Sequence, residues 1–87
     1  MAKKKRRGRT PPAGAQVYAV EGMTALLSTR FGVGSDLPTS YHIPAGTPGV
    51  CRGKPGKSPH IDVDFHFRDG TVAPVEVMPG QIERARG

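Results

Sequence analysis

The stretch His60-Ile61-Asp62-Val63-Asp64-Phe65-His66 sets two imidazoles and two carboxylates at every second position. Those are the ligand types that hold zinc and related cations. On a strand, however, side chains two apart stand about 6.6 Å from one another on the same face. Four in a row cannot converge on one ion without help from a neighbouring strand, for which Glu76 is the candidate. The pattern reads instead as the polar outer face of a sheet, and no metal or other cofactor is expected. Cys51 is the one thiol of the chain, and a thiol beside an imidazole is a nucleophile pair. Nothing in the spacing brings a histidine to it, so no catalytic residue is assigned and the chain is read as a non-enzyme. The segment GKPGKS lacks the spacing of a phosphate-cradling loop.

Binding chemistry is better represented. Lys3, Lys4, Lys5, Arg6, Arg7 and Arg9 put six cations into the first nine residues. A flexible cationic segment beside a polyanion displaces condensed counterions, which gives salt-dependent binding indifferent to base sequence. The same cations could serve solubility alone, and KKKRRGR also matches a nuclear-import pattern. Arg52, Lys54 and Lys57 form a second basic cluster in a Gly-rich loop, where a backbone can approach a phosphate and continue the same path; an ordinary solvated loop is the competing reading. Tyr18, Phe31 and Tyr41 could stack on single-stranded bases, although with five aromatics in the chain they also serve as core or loop anchors.

The charge is unevenly divided. Of 13 Lys and Arg residues six lie in the tail, so residues 10–87 carry seven cations against all seven Asp and Glu, and the net charge of +6 belongs to the tail. An electrostatic arm is thus attached to a neutral body. At 87 residues the chain is one domain at most, of modest stability and too small for a large substrate cavity. The chain has no apolar run of the roughly 20 residues a membrane helix needs, and no apolar stretch follows the N-terminal charges as in a signal peptide. A cytoplasmic location is expected, with no membrane partner. Gly/Ala/Arg/Pro-rich usage suits a high-GC bacterium or its phage.

The elements that must position these groups are short strands. Residues 1–16 have no apolar periodicity, repel themselves and end in Pro-Pro-Ala-Gly, and are expected to be a disordered cationic arm. Residues 17–22 form a lead-in, a short strand or an ordered approach ending in a turn at Glu21-Gly22. From Met23 onward Leu27, Thr29, Phe31 and Val33 alternate as a strand does, against a competing helical stripe of Met23, Leu26, Leu27 and Arg30. A long loop follows, in which Pro38, Pro44 and Pro48 deny helix. GVCRG is a short strand and KPGKSP a loop. In HIDVDFHFRDGTVAPVEV, Ile61, Val63, Phe65 and Phe67 face a core while Asp62, Asp64 and His66 face water. Asp69-Gly70 turns the chain, and Val75 and Val77 resume the alternation in a returning strand. Pro74 lacks an amide donor and should sit where that strand is unpaired, at an edge or a bulge. PGQIERA supplies a turn and a last strand led by Ile82.

This order, with IPAGTPGVCRG before a basic loop, a tight hairpin, a PGQ turn and a final Ile82-Glu83, resembles an SH3-like small barrel, in particular small bacterial barrels with an Ile-Pro-Ala-Gly-Thr-x-Gly-Val segment. The resemblance spans roughly residues 23–85. It implies an all-β barrel of about five short strands over residues 23–87 and is weak for function, since such barrels bind proteins and nucleic acids alike. Taken with the arm, the expectation is a small accessory protein that binds DNA, RNA or a nucleoprotein complex. The alternative is an interaction module that docks on a single protein partner through the barrel, the tail being incidental.

Overall fold

The computed structural model describes residues 11–28, 36–54 and 59–85. Seven strands run in chain order: β1 (Gln16–Ala19), β2 (Met23–Leu27), β3 (Ser40–Ile43), β4 (Pro48–Gly53), β5 (Ile61–His66), β6 (Val72–Val77) and β7 (Ile82–Arg84), with a 3-10 turn over Pro79–Gln81 before the last. All pair antiparallel in one sheet of order β3-β2-β6-β5-β4-β1-β7. Among the described residues there is no α-helix, and none long and apolar enough to cross a membrane. The all-β expectation holds. The expected five strands are seven, and the hydrogen-bonded order has two ends, β3 and β7, so the sheet is not closed.

The core follows from the alternation in β5. Ile61, Val63 and Phe65 are fully buried, and burying each contributes on the order of 1.5–3 kcal/mol. Phe65 fits because small residues flank it: the register sets it between Gly49 of β4 and Ala73 of β6. A Cβ at Gly49 would stand 2.8 Å from the Asp64 carbonyl oxygen and 3.0 Å from Phe65 Cδ1, so that position has no room for a side chain. Val17, Ile43, Cys51, Val75 and Val77 complete the buried centre, with Tyr41 and Phe67 packed partly against it.

The turns are built from their residue types. At the β5–β6 hairpin Gly70 takes φ +92°, its amide donates to the Phe67 carbonyl at 3.0 Å, and the Phe67 amide donates to Thr71 at 2.8 Å. This is the three-residue loop with a left-handed glycine. The Thr71 amide donates to Asp69 Oδ1 at 2.9 Å and holds that carboxyl below its ordinary pKa. Pro44-Ala45-Gly46-Thr47 is likewise a turn, with Gly46 at φ +86° and the Thr47 hydroxyl donating to the Pro44 carbonyl at 2.7 Å. It docks on β1, where the Gly46 amide donates to the Ala19 carbonyl at 2.7 Å and the Ala19 amide to the Thr47 carbonyl at 3.0 Å. The IPAGT segment thus fastens the start of β4 to the end of β1.

Several sequence expectations need correction. Of the two readings of the lead-in the short strand is the one seen, paired with both β4 and β7, because Ala15, Val17 and Ala19 alternate into the core; it starts at Gln16, inside the expected arm. Residues 11–16 belong to the body rather than to a disordered arm: Pro11 and Ala15 are buried. The long prolyl loop contains β3, paired with β2 from Met23↔Ile43 to Leu26↔Ser40. Residues 23–27 are strand, the reading favoured over helix there, while Thr29 and Val33 of the alternation lie outside the described residues. Phe31 lies outside the described residues. Pro74 sits in an interior strand, paired with Asp64. It is tolerated because the β2–β6 ladder ends beside it: the last pair is Leu27↔Val75, and the Ser28 amide then donates to the Pro74 carbonyl at 2.9 Å. Asp62 does not face water. It is 3% exposed and accepts the Ser28 hydroxyl at 2.9 Å.

Candidate nucleic-acid interface

Of the basic residues singled out in the sequence, Arg52 and Lys54 are described, and they stand at the far end of β4. Cys51 points into the core, opposite Val63. The next residue, Arg52, is the extra one of a bulge, and Gly53 takes φ +107° before pairing with Asp62. A bulge re-aims a side chain at the end of a strand, and here it leaves Arg52 and then Lys54 exposed.

Residues 11–15 clamp onto this same end. The Gly14 amide donates to the Cys51 carbonyl at 2.7 Å, the Cys51 amide donates to the Ala15 carbonyl at 2.8 Å, and the Cys51 thiol donates to the Pro11 carbonyl at 3.4 Å. A methyl placed on Gly53 would stand 3.7 Å from the Ala13 Cβ. The chain therefore enters the body beside Gly53, one residue from each of Arg52 and Lys54. Lys3, Lys4, Lys5, Arg6, Arg7, Arg9 and Lys57 lie outside the described residues. Sequence reasoning missed the clamp, although the two-residue period of Ala15, Val17 and Ala19 could have extended the body back to Ala15.

The outward-facing residues divide by charge. On β1 and β4 they are Gln16, Tyr18, Pro48, Val50 and Arg52. On β5 and β6 they include Asp62, Asp64 and Glu76, with Asp62 opposite Glu76 and Val50 opposite Asp64. Arg52 Nε lies 3.6 Å from Asp64 Oδ2, their side chains 52% and 19% exposed. Arg52 thus shares its charge with a carboxylate, and its pull on an anion is weaker than that of Lys54. Tyr18 is half-exposed, and its hydroxyl donates to Glu83 Oε1 at 2.9 Å. Tyr41 packs partly against the core.

The other candidate chemistries find little geometry. His60, Asp62, Asp64 and His66 differ in exposure, and no group of three or more His, Cys, Asp or Glu is placed to hold a metal ion among the described residues. Cys51 is fully buried in the core, whereas a nucleophile must meet its substrate. Where β2 parts from β6, a cleft of about 170 Å3 is lined by Thr24, Leu26, His60, Glu76, Met78 and Gln81, below the roughly 300 Å3 at which small-molecule sites begin. No family model, curated protein or solved structure matches the chain.

Proposed function

We propose that the chain is a small, non-enzymatic nucleic-acid-binding accessory protein of the cytoplasm, in which a cationic arm supplies affinity and an SH3-like barrel supplies placement. The observation that carries this reading is the convergence of the arm's root, Pro11–Ala15, on the β4 end that bears Arg52 and Lys54. Arg52 and Lys54 then stand where the arm is anchored, and we read them as continuing its contacts along one phosphate backbone, contacts that position without reading bases. The body has no net charge of its own, so whatever attracts a polyanion must be local to this path. The barrel reading is supported by connectivity. β4, β5 and β6 form a meander, the 3-10 turn precedes β7, β7 returns to β1, and the β2–β3 hairpin is an excursion between β1 and β4.

Titration of labelled oligonucleotides across a salt series tests the proposal. With six arm cations on phosphate, log K against log salt should have a slope of roughly −5 on duplex and about −4 on a single strand. Deleting residues 2–9 should remove most of it. One observation favours a protein partner instead: Leu26 and Met78 are 64% and 42% exposed beside the β2–β6 cleft. Apolar docking there is nearly independent of salt and survives loss of the tail. Failure to bind any oligonucleotide at low salt, with capture of one protein by the tail-deleted chain, would replace the nucleic-acid reading.

A further inference from the structure

We infer that the outer face of β1 and β4 is a stacking surface for unpaired bases, so that the ligand is single-stranded; this rests on the nucleic-acid reading above. Three observations lead to it. The first is composition: of the outward residues on these two strands only Arg52 is charged, while the carboxylates Asp62, Asp64 and Glu76 lie on β5 and β6 and Glu83 lies on β7. A base over Gln16, Tyr18, Pro48 and Val50 meets carboxylates only at the two flanks, Glu83 opposite Tyr18 and Asp64 opposite Val50, which already engage the Tyr18 hydroxyl and Arg52.

The second is a set of flat faces in one row. Tyr18 pairs with Pro48, and the register that sets Gly49 opposite Phe65 puts exposed His66 beside Pro48 on the same face. A phenol, a pyrrolidine and an imidazole thus cross three adjacent strands. The Glu83 carboxylate accepts the Tyr18 hydroxyl, so the ring is ordered before any ligand arrives and stacking costs it little further entropy.

The third is continuity. β1 leaves the clamp at Ala15 and reaches Tyr18 three residues later, about 10 Å along a strand. A chain whose phosphates are held at Lys54 can therefore lay its next bases on Tyr18 and Pro48. A duplex cannot do this, because its bases are stacked on one another inside. Aromatic platforms beside a cationic track are how proteins hold single strands without reading sequence.

The chain has two tyrosines and no tryptophan, so in full-length Tyr41→Phe protein all tyrosine emission comes from Tyr18. An oligothymidylate of about 12 nucleotides, long enough for a single small-domain site, should quench that emission; a duplex of equal length should not. Tyr18→Ala should weaken the oligothymidylate roughly tenfold, the usual worth of one stacked base, and leave duplex affinity unchanged, while Tyr18→Phe, which keeps a ring, should bind within a few fold of the parent. His66→Ala, at an exposed position, should give a smaller loss on the single strand alone, and serves if Tyr18→Ala melts early. An unquenched Tyr18, or equal losses on single strand and duplex, overturns the inference and leaves the nucleic-acid reading standing. No binding of either probe overturns both, and leaves the Tyr18 row to a protein partner.

Discussion

Two halves of the same sheet face end differently. On β5, three residues at alternate positions all leave the core side, yet Asp62 is buried, Asp64 is half-buried and His66 is exposed. On β1 and β4 the corresponding residues are Gln16, Tyr18, Pro48, Val50 and Arg52, none of them acidic and none fully buried. The acidic half is occupied from within, by the Ser28 hydroxyl on Asp62 and by Arg52 on Asp64. Alternation therefore decides which residues turn away from the core, but what covers them is a tertiary matter. A carboxylate on the outer face can be structural while a tyrosine on the same face is the better candidate for contact with a partner.

The largest effect should come from the layer beneath both halves. Phe65→Ala removes a fully buried ring from between Gly49 and Ala73 and should cost about 3–5 kcal/mol in chemical denaturation, most of the stability of a domain this small. Gly49→Ala should also destabilise, by about 1–3 kcal/mol, because its Cβ meets a backbone oxygen that cannot rotate away. A melting curve unchanged by either substitution would contradict the packing of this layer.

The comparison itself breaks or holds at Asp62. Read from the sequence, Asp62 is one of three solvent-facing polar residues. Read from the structure, Asp62→Ala leaves the Ser28 hydroxyl buried without its acceptor and should cost about 1–3 kcal/mol. Asp62→Asn, which keeps an acceptor oxygen, should cost less. If Asp62→Ala matches an exposed control such as His66→Ala in urea, the acidic half is no more structural than the other.

The difference also marks how far the sequence could be read. The strand from Ile61 to His66, the Asp69-Gly70 hairpin, the GVCRG strand and the Ile82 strand follow from period-two apolar spacing and turn residues, which are local signals. Asp62 does not, because its partner Ser28 lies 34 residues away and a hydroxyl in a loop carries no mark of what it will meet. β3 was hidden by Pro38 and Pro44, which flank it rather than interrupt it. The clamp of Pro11–Ala15 was hidden by composition: Pro-Pro-Ala-Gly reads as spacer, and only the hydrogen bonds to Cys51 make it part of the body. Of the basic residues, the structure sets Arg52 and Lys54 beside the arm's root, a proximity that no spacing between residues 9 and 52 could have revealed.

The smallest expected effect is the sharpest test of where the two halves join. Arg52 and Asp64 form a half-exposed pair at 3.6 Å, and such pairs contribute about 0–1 kcal/mol to stability. Asp64→Asn should therefore hardly move the melting curve. It should nonetheless strengthen oligonucleotide binding by a few fold at low salt, and steepen the log K against log salt slope by up to about one unit for one additional phosphate contact, because it releases Arg52 and removes an anion bordering the path. Arg52→Gln should do the reverse, and in the double variant the gain from Asp64→Asn should shrink if it acts through Arg52. If Asp64→Asn leaves both affinity and slope unchanged while Lys54→Gln weakens binding, the path turns away from β4 at Lys54 and Arg52 belongs with the acidic half. A loss of affinity in Asp64→Asn would go further: it would mean that the carboxylate positions Arg52 for the phosphate, and that the boundary between the two halves is itself part of the contact.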